Sequence, residues 1–488
     1  MTARRIGLIL GPLAFAFAAL TQPPSGMSGE AWLVAGLVVW MAAWWMTEAV
    51  PLSVTALLPF ILLPLGGVMT ARDTASAYYA PILFLLLGGA FLALAIERTG
   101  LHRRLSLAIL NRVGPNAGSF RLLLAFMASA ALLSMLISNT STALIMMPMA
   151  LAVLTEGAQG DPDPPTGRTE IASDAHTSPM QDGFAGALPM GIAFAASIGG
   201  LGTIVGSPTN GIAVQLLNDV IGLEISFAMW MFYGLPVVIV GVPLAALVIA
   251  RVQRIGAHPF DVGAARAAIA DTSAWSSAER RLVPIIAIAF GLWMTRRWVS
   301  PYLPPDSWTD GTIAIVAALA LFLVPDGSGR PLLKWSEADR APWGVILMFG
   351  GGLALAAGMQ ASGLADWLGE ALLPLEAIPL FAIALAVVAL VVLVTEFASN
   401  VATASAIIPV VASLAAGLGL GADAILIAMP AALAASWGFI LPAGTGPNAI
   451  AWATGRLRIE RLVRAGLVLD LIGIGLIVGI VWLMAAAT

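Results

Sequence analysis

Long apolar runs separated by short polar breaks fill this chain, and the runs lack the period-two alternation of half-buried strands. Runs of spanning character lie near 6–20, 31–47, 49–66, 81–97, 188–217, 227–250, 283–299, 311–325, 343–359, 425–452 and 462–485. Each predicts a transmembrane helix. Two further apolar stretches, about 120–150 and 376–412, carry a polar island near the middle: Ser138-Asn139-Thr140-Ser141-Thr142 and Ser399-Asn400-Val401-Ala402-Thr403. With each island as a turn, the halves are too short to cross ~30 Å of hydrocarbon. Both stretches therefore read as re-entrant helical hairpins. The fold class is an all-α polytopic membrane protein with about 11 transmembrane helices plus the two hairpins.

The pattern repeats. Gly88-Gly89-Ala90-Phe91-Leu92-Ala93-Leu94 with Gly100-Leu101 matches Gly351-Gly352-Leu353-Ala354-Leu355-Ala356-Ala357 with Gly363-Leu364. Downstream, Gly206-Ser207-Pro208-Thr209-Asn210 resembles Gly444-Thr445-Gly446-Pro447-Asn448. The first copy is longer between island and break because of a Pro-, Asp- and Thr-rich stretch at about 157–183, read as a polar cytoplasmic loop. The paired glycine motifs fall in the fourth and ninth spans, an odd difference, so the repeat is inverted, which is a transporter architecture.

Composition agrees: the 488 residues are 59% hydrophobic and 10% charged, with mean hydropathy +0.94. The net charge of −4 adds little, because placement matters more than the sum. With the N-terminus inside and each hairpin returning to its own side, all but Arg72, Arg296 and Arg297 of the 23 basic residues fall in cytoplasmic segments, as the positive-inside rule requires. Location in the inner (plasma) membrane with the C-terminus outside follows. Arg4-Arg5 before the first apolar run looks like a signal peptide, but Thr21-Gln22-Pro23-Pro24 leads into another span, so an uncleaved helix is expected. Absence of cysteine excludes disulfides, thiolate metal sites and cysteine nucleophiles.

The chemistry lies in the interruptions. An unpaired amide or hydroxyl in hydrocarbon costs several kcal/mol. One such island is adequately explained as a hydrogen bond between helices, whereas two matched pairs point to a ligand site. Gly-Ser-Pro-Thr-Asn and Gly-Thr-Gly-Pro-Asn should break their helices, since proline removes a donor and glycine permits open backbone. Half-helix N-termini attract anions, and unwound carbonyls coordinate cations. The side chains there are Ser, Thr and Asn, with no Arg, Lys or His. An anion held without a fixed positive side chain calls for bound cations, and coupled cation–anion binding follows.

Trp44-Trp45-Met46-Thr47-Glu48-Ala49-Val50-Pro51, Thr55-Ala56-Leu57-Leu58-Pro59, the Leu86–Gly100 glycine segment, both tips and both breaks together resemble the divalent anion:sodium symporter family over nearly the whole chain. Members carry di- or tricarboxylates or sulfate. The resemblance implies a first sodium at Ser134, Ser138, Asn139 and the Gly206 backbone, and a second at Thr395, Ala398, Asn400 and the Gly444 backbone. Substrate carboxylates would meet Asn139, Thr140, Ser207 and Pro208 from one repeat, and Asn400, Val401, Thr445 and Gly446 from the other. It also implies a homodimer and an elevator mechanism. Scaffold helices would occupy 1–119 and 251–375, and transport-domain halves 120–250 and 376–488. Two positions depart from the family pattern: Val401 replaces a common threonine, and Gly446 a usual proline.

Several ionisable residues stand apart from this set. Glu48 and Glu396 each follow a threonine inside apolar sequence. Glu396 reads as a brace hydrogen-bonded to hairpin backbone, with cation tuning or proton carriage as the alternative. Asp470 reads as a packing contact, and His102, His176 and His258 as loop residues without metal spacing. The function expected is uptake of a small dianion coupled to sodium entry, C4 dicarboxylates such as succinate or malate first. Alternatives on the same fold are a sodium-independent exchanger and a sulfate or citrate carrier. An intramembrane enzyme would need a nucleophile–base pair or metal cluster within the spans, and none is evident. No P-loop marks a primary pump. The expected partners are substrate, sodium and lipid, with no cofactor and no nucleic acid.

Overall fold

The computed structural model describes residues 3–112, 114, 118–158, 183–257, 260–263, 274–442 and 444–487. The predicted polar loop at about 157–183 lies almost wholly outside these residues, as do His176 and His258. Among the described residues all regular structure is helical, apart from one isolated bridge between Pro325 and Pro331.

The chain begins with α1 (Ala3–Leu20), α2 (Gly29–Thr47), α3 (Leu52–Thr55), α4 (Leu58–Leu65), α5 (Ala71–Ala77), α6 (Pro81–Thr99) and α7 (Leu101–Leu110). The first hairpin is α8 (Ser119–Ser134) and α9 (Asn139–Ala158), followed by α10 (Phe184–Gly199), α11 (Pro208–Ile221) and α12 (Phe227–Gln253). Next come α13 (Ser277–Val299), α14 (Asp310–Leu323), α15 (Trp335–Ala338), α16 (Trp343–Ala361) and α17 (Leu364–Ala371). The second hairpin is α18 (Leu380–Phe397) and α19 (Asn400–Gly417), followed by α20 (Ile425–Ala434), α21 (Gly446–Ala453) and α22 (Ile459–Ala485).

The order from α6 to α12 recurs from α16 to α22. Both copies open with a helix closed by a left-handed glycine, Gly100 at φ +79° and Gly363 at φ +78°, which turns the chain directly into a short helix. A helical hairpin, a broken helix and a long final helix follow in each copy. The paired glycine motifs predicted this order.

Among the described residues eleven helices are long and apolar enough to cross a membrane, but they are not all the predicted ones. The expected spans 49–66, 311–325 and 425–452 are split or short. The first of these breaks at 56–57, with Pro51 opening α3 and Pro59 in the first turn of α4, α14 has 14 residues before extended backbone at Val324 precedes Pro325, and the third unwinds between α20 and α21. In their place stand α9, α18 and α19, with 20, 18 and 18 residues. The hairpin arms are thus longer than the sequence reading allowed: at 1.5 Å per residue they reach about 27–30 Å. Helices α9 and α19 run on past an internal proline, Pro148 and Pro409, to Ala158 and Gly417.

Burial separates the middle from the rim. Helix α10 with the turn after it is 94% buried, whereas the windows covering α1 and α13 are 17% buried and present residues such as Leu13, Phe17 and Ile288 outward, as lipid-facing helices do. Trp230 Nε1 donates to Leu201 O at 2.8 Å, tying α12 to the unwound end of α10.

Candidate binding site between the hairpin tips and the broken helices

Four helices end and four begin in one place. In the first tip α8 stops at Ser134 and α9 starts at Asn139; in the second α18 stops at Phe397 and α19 starts at Asn400. Each second arm is capped by its serine: Ser138 Oγ accepts from Ser141 N at 3.2 Å, and Ser399 Oγ from Ala402 N at 3.2 Å. After α10 come two single turns of 3₁₀ helix, Gly200–Gly202 and Ile204–Gly206, before Pro208 opens α11. After α20 the chain stays open until α21, where Thr445 Oγ1 accepts from Asn448 N at 3.3 Å. Free N–H groups of α9, α11, α19 and α21 therefore offer a positive pole, and carbonyl ends of α8, α10, α18 and α20 a negative one.

The carbonyl ends build two matched oxygen clusters. Ser134 Oγ lies 2.6 Å from Asn139 Oδ1. The same Asn139 corner lies 3.1 Å from Ala196 O and 3.2 Å from Gly206 O. Turned one way, the amide offers a fourth oxygen to that group; turned the other way, its nitrogen donates to all three. In the second repeat Thr395 Oγ1 lies 3.0 Å from Asn400 Oδ1 and 2.8 Å from Ala435 O. Neutral oxygens converging at this spacing suit a small hard cation. Ala196 and Ala435 escape sequence reading because a backbone carbonyl carries no residue-type signal. Their equivalence shows only in the matched steps to Ser197 and Ser436.

Between the clusters lies a cavity of about 460 Å³. All eight predicted substrate contacts line it: Asn139, Thr140, Ser207, Pro208, Asn400, Val401, Thr445 and Gly446. Gly206 and Gly444 line it as well. Charged side chains appear only toward one end, Glu97 on α6 and Arg340 before α16, among the described lining residues. Gly446, where the family usually has proline, sits so close to Thr140 that a Cβ would overlap its hydroxyl. Glycine thus brings the two repeats together across the cavity.

Ser138 lines the cavity too, exposed, with its hydroxyl donating to Ser141 Oγ at 3.0 Å. Ala398, the C-cap of α18, does not line the cavity. Glu396 is a brace: its carboxylate accepts from Ile440 N and Leu441 N at 3.0 to 3.1 Å, joining α18 to the second break. Thr203 does the same for the first repeat, donating to Met135 O at 2.7 Å. Glu48 is exposed at the left-handed C-cap of α2, away from the cavity. Asp470 is buried against Glu396. His102 lies on α7, not in a loop, with Nδ1 3.1 Å from Ile96 O.

Comparison with known proteins bears on the same fold. Residues 4–487 match the family described as sodium:sulfate symporter transmembrane region. The chain is 37% identical over 494 residues to the sodium-dependent dicarboxylate transporter SdcS of Staphylococcus saprophyticus, covering 98% of this chain and 91% of that protein. It is 38% identical over 484 residues to SdcS of Staphylococcus aureus strain USA300, covering 98% and 90%. The crystal structure of the Alcanivorax borkumensis YdaH transporter is similar in fold, with a TM-score of 0.53 at 15% identity, over 100% of this chain and 98% of that one.

Proposed function

The chain belongs to the sodium:sulfate symporter family, and from that premise we propose that it carries a small dicarboxylate, C4 acids first, into the cell on a sodium gradient. It is a membrane transporter and not an enzyme. The observation that carries the reading is the pairing of four helix N-termini around one cavity with an oxygen cluster on each side of it. A dianion between the tips would meet N–H groups, Thr140, Ser207 and Thr445, and no lysine or arginine at the tips themselves. A sodium ion in each cluster would supply the missing charge. Binding of either partner then favours the other, which is the thermodynamic content of coupling. The names of the Staphylococcus relatives support dicarboxylate as the anion.

Glu97 and Arg340 line one part of the cavity, and Arg98 and Arg330 both pair with Glu337. By the positive-inside rule that part would lie on the cytoplasmic side. At the other end of α16, Gln360 Nε2 donates to Asp219 O at 2.7 Å. Beside it α17 and α19 touch at Gly369 and Gly417, where a Cβ on Gly417 would lie 2.6 Å from Gly369 Cα. We propose an elevator in which the hairpins with α10–α12 and α20–α22 slide against α1–α7 and α13–α17 within a homodimer.

The test is uptake of labelled succinate into proteoliposomes under an inward sodium gradient, an inward potassium gradient, and with succinate preloaded. Sodium-driven uptake without preloading is expected. Uptake that needs internal substrate and ignores sodium would make the protein an exchanger. Transport of sulfate alone would move the anion to the one in the family's description.

A further inference from the structure

The two oxygen clusters depend on backbone that lies outside helices, so something must hold that backbone in shape. Thr203 O accepts from Gly206 N at 3.3 Å and from Asn210 Nδ2 at 2.8 Å. Leu441 O accepts from Gly444 N at 3.2 Å and from Asn448 Nδ2 at 3.2 Å. The two arrangements are the same: one carbonyl receives the N–H of the glycine three residues on and the amide of the asparagine seven residues on. In the first repeat the Asn210 amide also donates to Gly200 O at 2.7 Å. Those glycines, Gly206 and Gly444, are the ones expected to present a carbonyl to sodium.

Neither asparagine lines the cavity, and both are fully buried. The Oδ1 atom of each has no hydrogen-bond partner. A buried amide that leaves its oxygen unpaired while its nitrogen reaches the open turn is placed for the donation. The hydroxyl of Thr203, which also accepts from Gly206 N at 3.0 Å, extends the clip to the first tip through Met135 O. Glu396 extends the second through Leu441 N at 3.1 Å.

We propose that Asn210 and Asn448 are the positioning residues of the two sodium sites, each clipping the turn whose glycine carbonyl completes its oxygen cluster. Each acts on sodium through the turn and makes no contact with ion or anion. The assignment rests on the sodium-coupled reading above. It locates sodium affinity partly in residues outside the cavity wall.

The test measures the sodium concentration for half-maximal uptake, the dicarboxylate KM at saturating sodium, and the sodium-dependent rise in Tm of the purified carrier. Asn210→Leu and Asn448→Leu keep volume and remove the donors; Asn210→Ala and Asn448→Ala remove them without adding bulk or charge, so the result does not hang on one variant folding. Losing one such hydrogen bond should raise the sodium requirement about tenfold in uptake and melting alike. The dicarboxylate KM at saturating sodium should stay within about twofold, as expected when the anion's own contacts are intact. Variants with wild-type sodium dependence, reduced only in yield or maximal rate, overturn the assignment, and so does failure of all four to give a folded carrier. A wild-type protein indifferent to sodium in both readouts overturns the sodium reading itself, and the clip's role with it.

Discussion

At the scale of single residues, the polar atoms of this site are scarce enough to be assigned one by one. Asn139 and Asn400 were legible in the sequence because a carboxamide in hydrocarbon is costly unless paired, and each sits at its hairpin tip. Ser134 and Thr395 entered through family resemblance, and the structure places each hydroxyl within 3.0 Å of its asparagine. Ser138 is assigned to sodium by the same route, and its hydroxyl also caps α9. Val401 lines the cavity beside Asn400 and lacks the hydroxyl that threonine would offer. Val401→Thr is nearly isosteric, and a new donor at a buried anion changes discrimination more than binding as a whole. It should shift the ratio of succinate to malate or sulfate uptake by about tenfold at most, leaving sodium dependence unchanged. Competition uptake measures this; an altered sodium requirement with unaltered selectivity would contradict the placement of Val401.

At the scale of elements, hydropathy located the helices and missed how they divide. Prolines were read as breaks at 208 and 447, correctly, because glycine and an N-capping hydroxyl accompany them. Pro148 and Pro409 have no such company, and α9 and α19 run through them. The contacts at the end of α6 were invisible in the sequence because they join distant segments. Arg98 at the end of α6 pairs with Asp326 and reaches Glu337 at 3.4 Å, and Ser328 donates to Asp326 through N at 2.8 Å and Oγ at 2.7 Å. The Ser328 hydroxyl and N–H, with the Arg98 guanidinium, hold the Asp326 carboxyl well below the ordinary carboxylate range. A group depressed in the folded state stabilises above its unfolded pKa, about 4, and that contribution fades as pH falls below it. Asp326→Asn should therefore cost about 2 kcal/mol at neutral pH and flatten the acid-side loss of Tm. Parallel melting curves of variant and wild type from pH 7 to 3 would contradict the role given to this cluster.

At the scale of the whole molecule, the inverted repeat explains why the site is symmetric in geometry and not in sequence. A serine hydroxyl answers a threonine, Ala196 O answers Ala435 O, and the Thr203 hydroxyl on one side does the joining that Glu396 does on the other. Two halves of opposite direction give the cavity helix N-termini from both, so a dianion can be held by backbone dipoles without a fixed cation that would trap it. Neutrality of the loaded site then depends on sodium. The most direct measurement is a cryo-EM reconstruction of the carrier in sodium succinate. Density for one dianion spanning Asn139–Thr140 and Asn400–Val401, flanked by an ion in each oxygen cluster, is the expected result. Succinate bound elsewhere, or between the tips with both clusters empty at saturating sodium, would contradict the account.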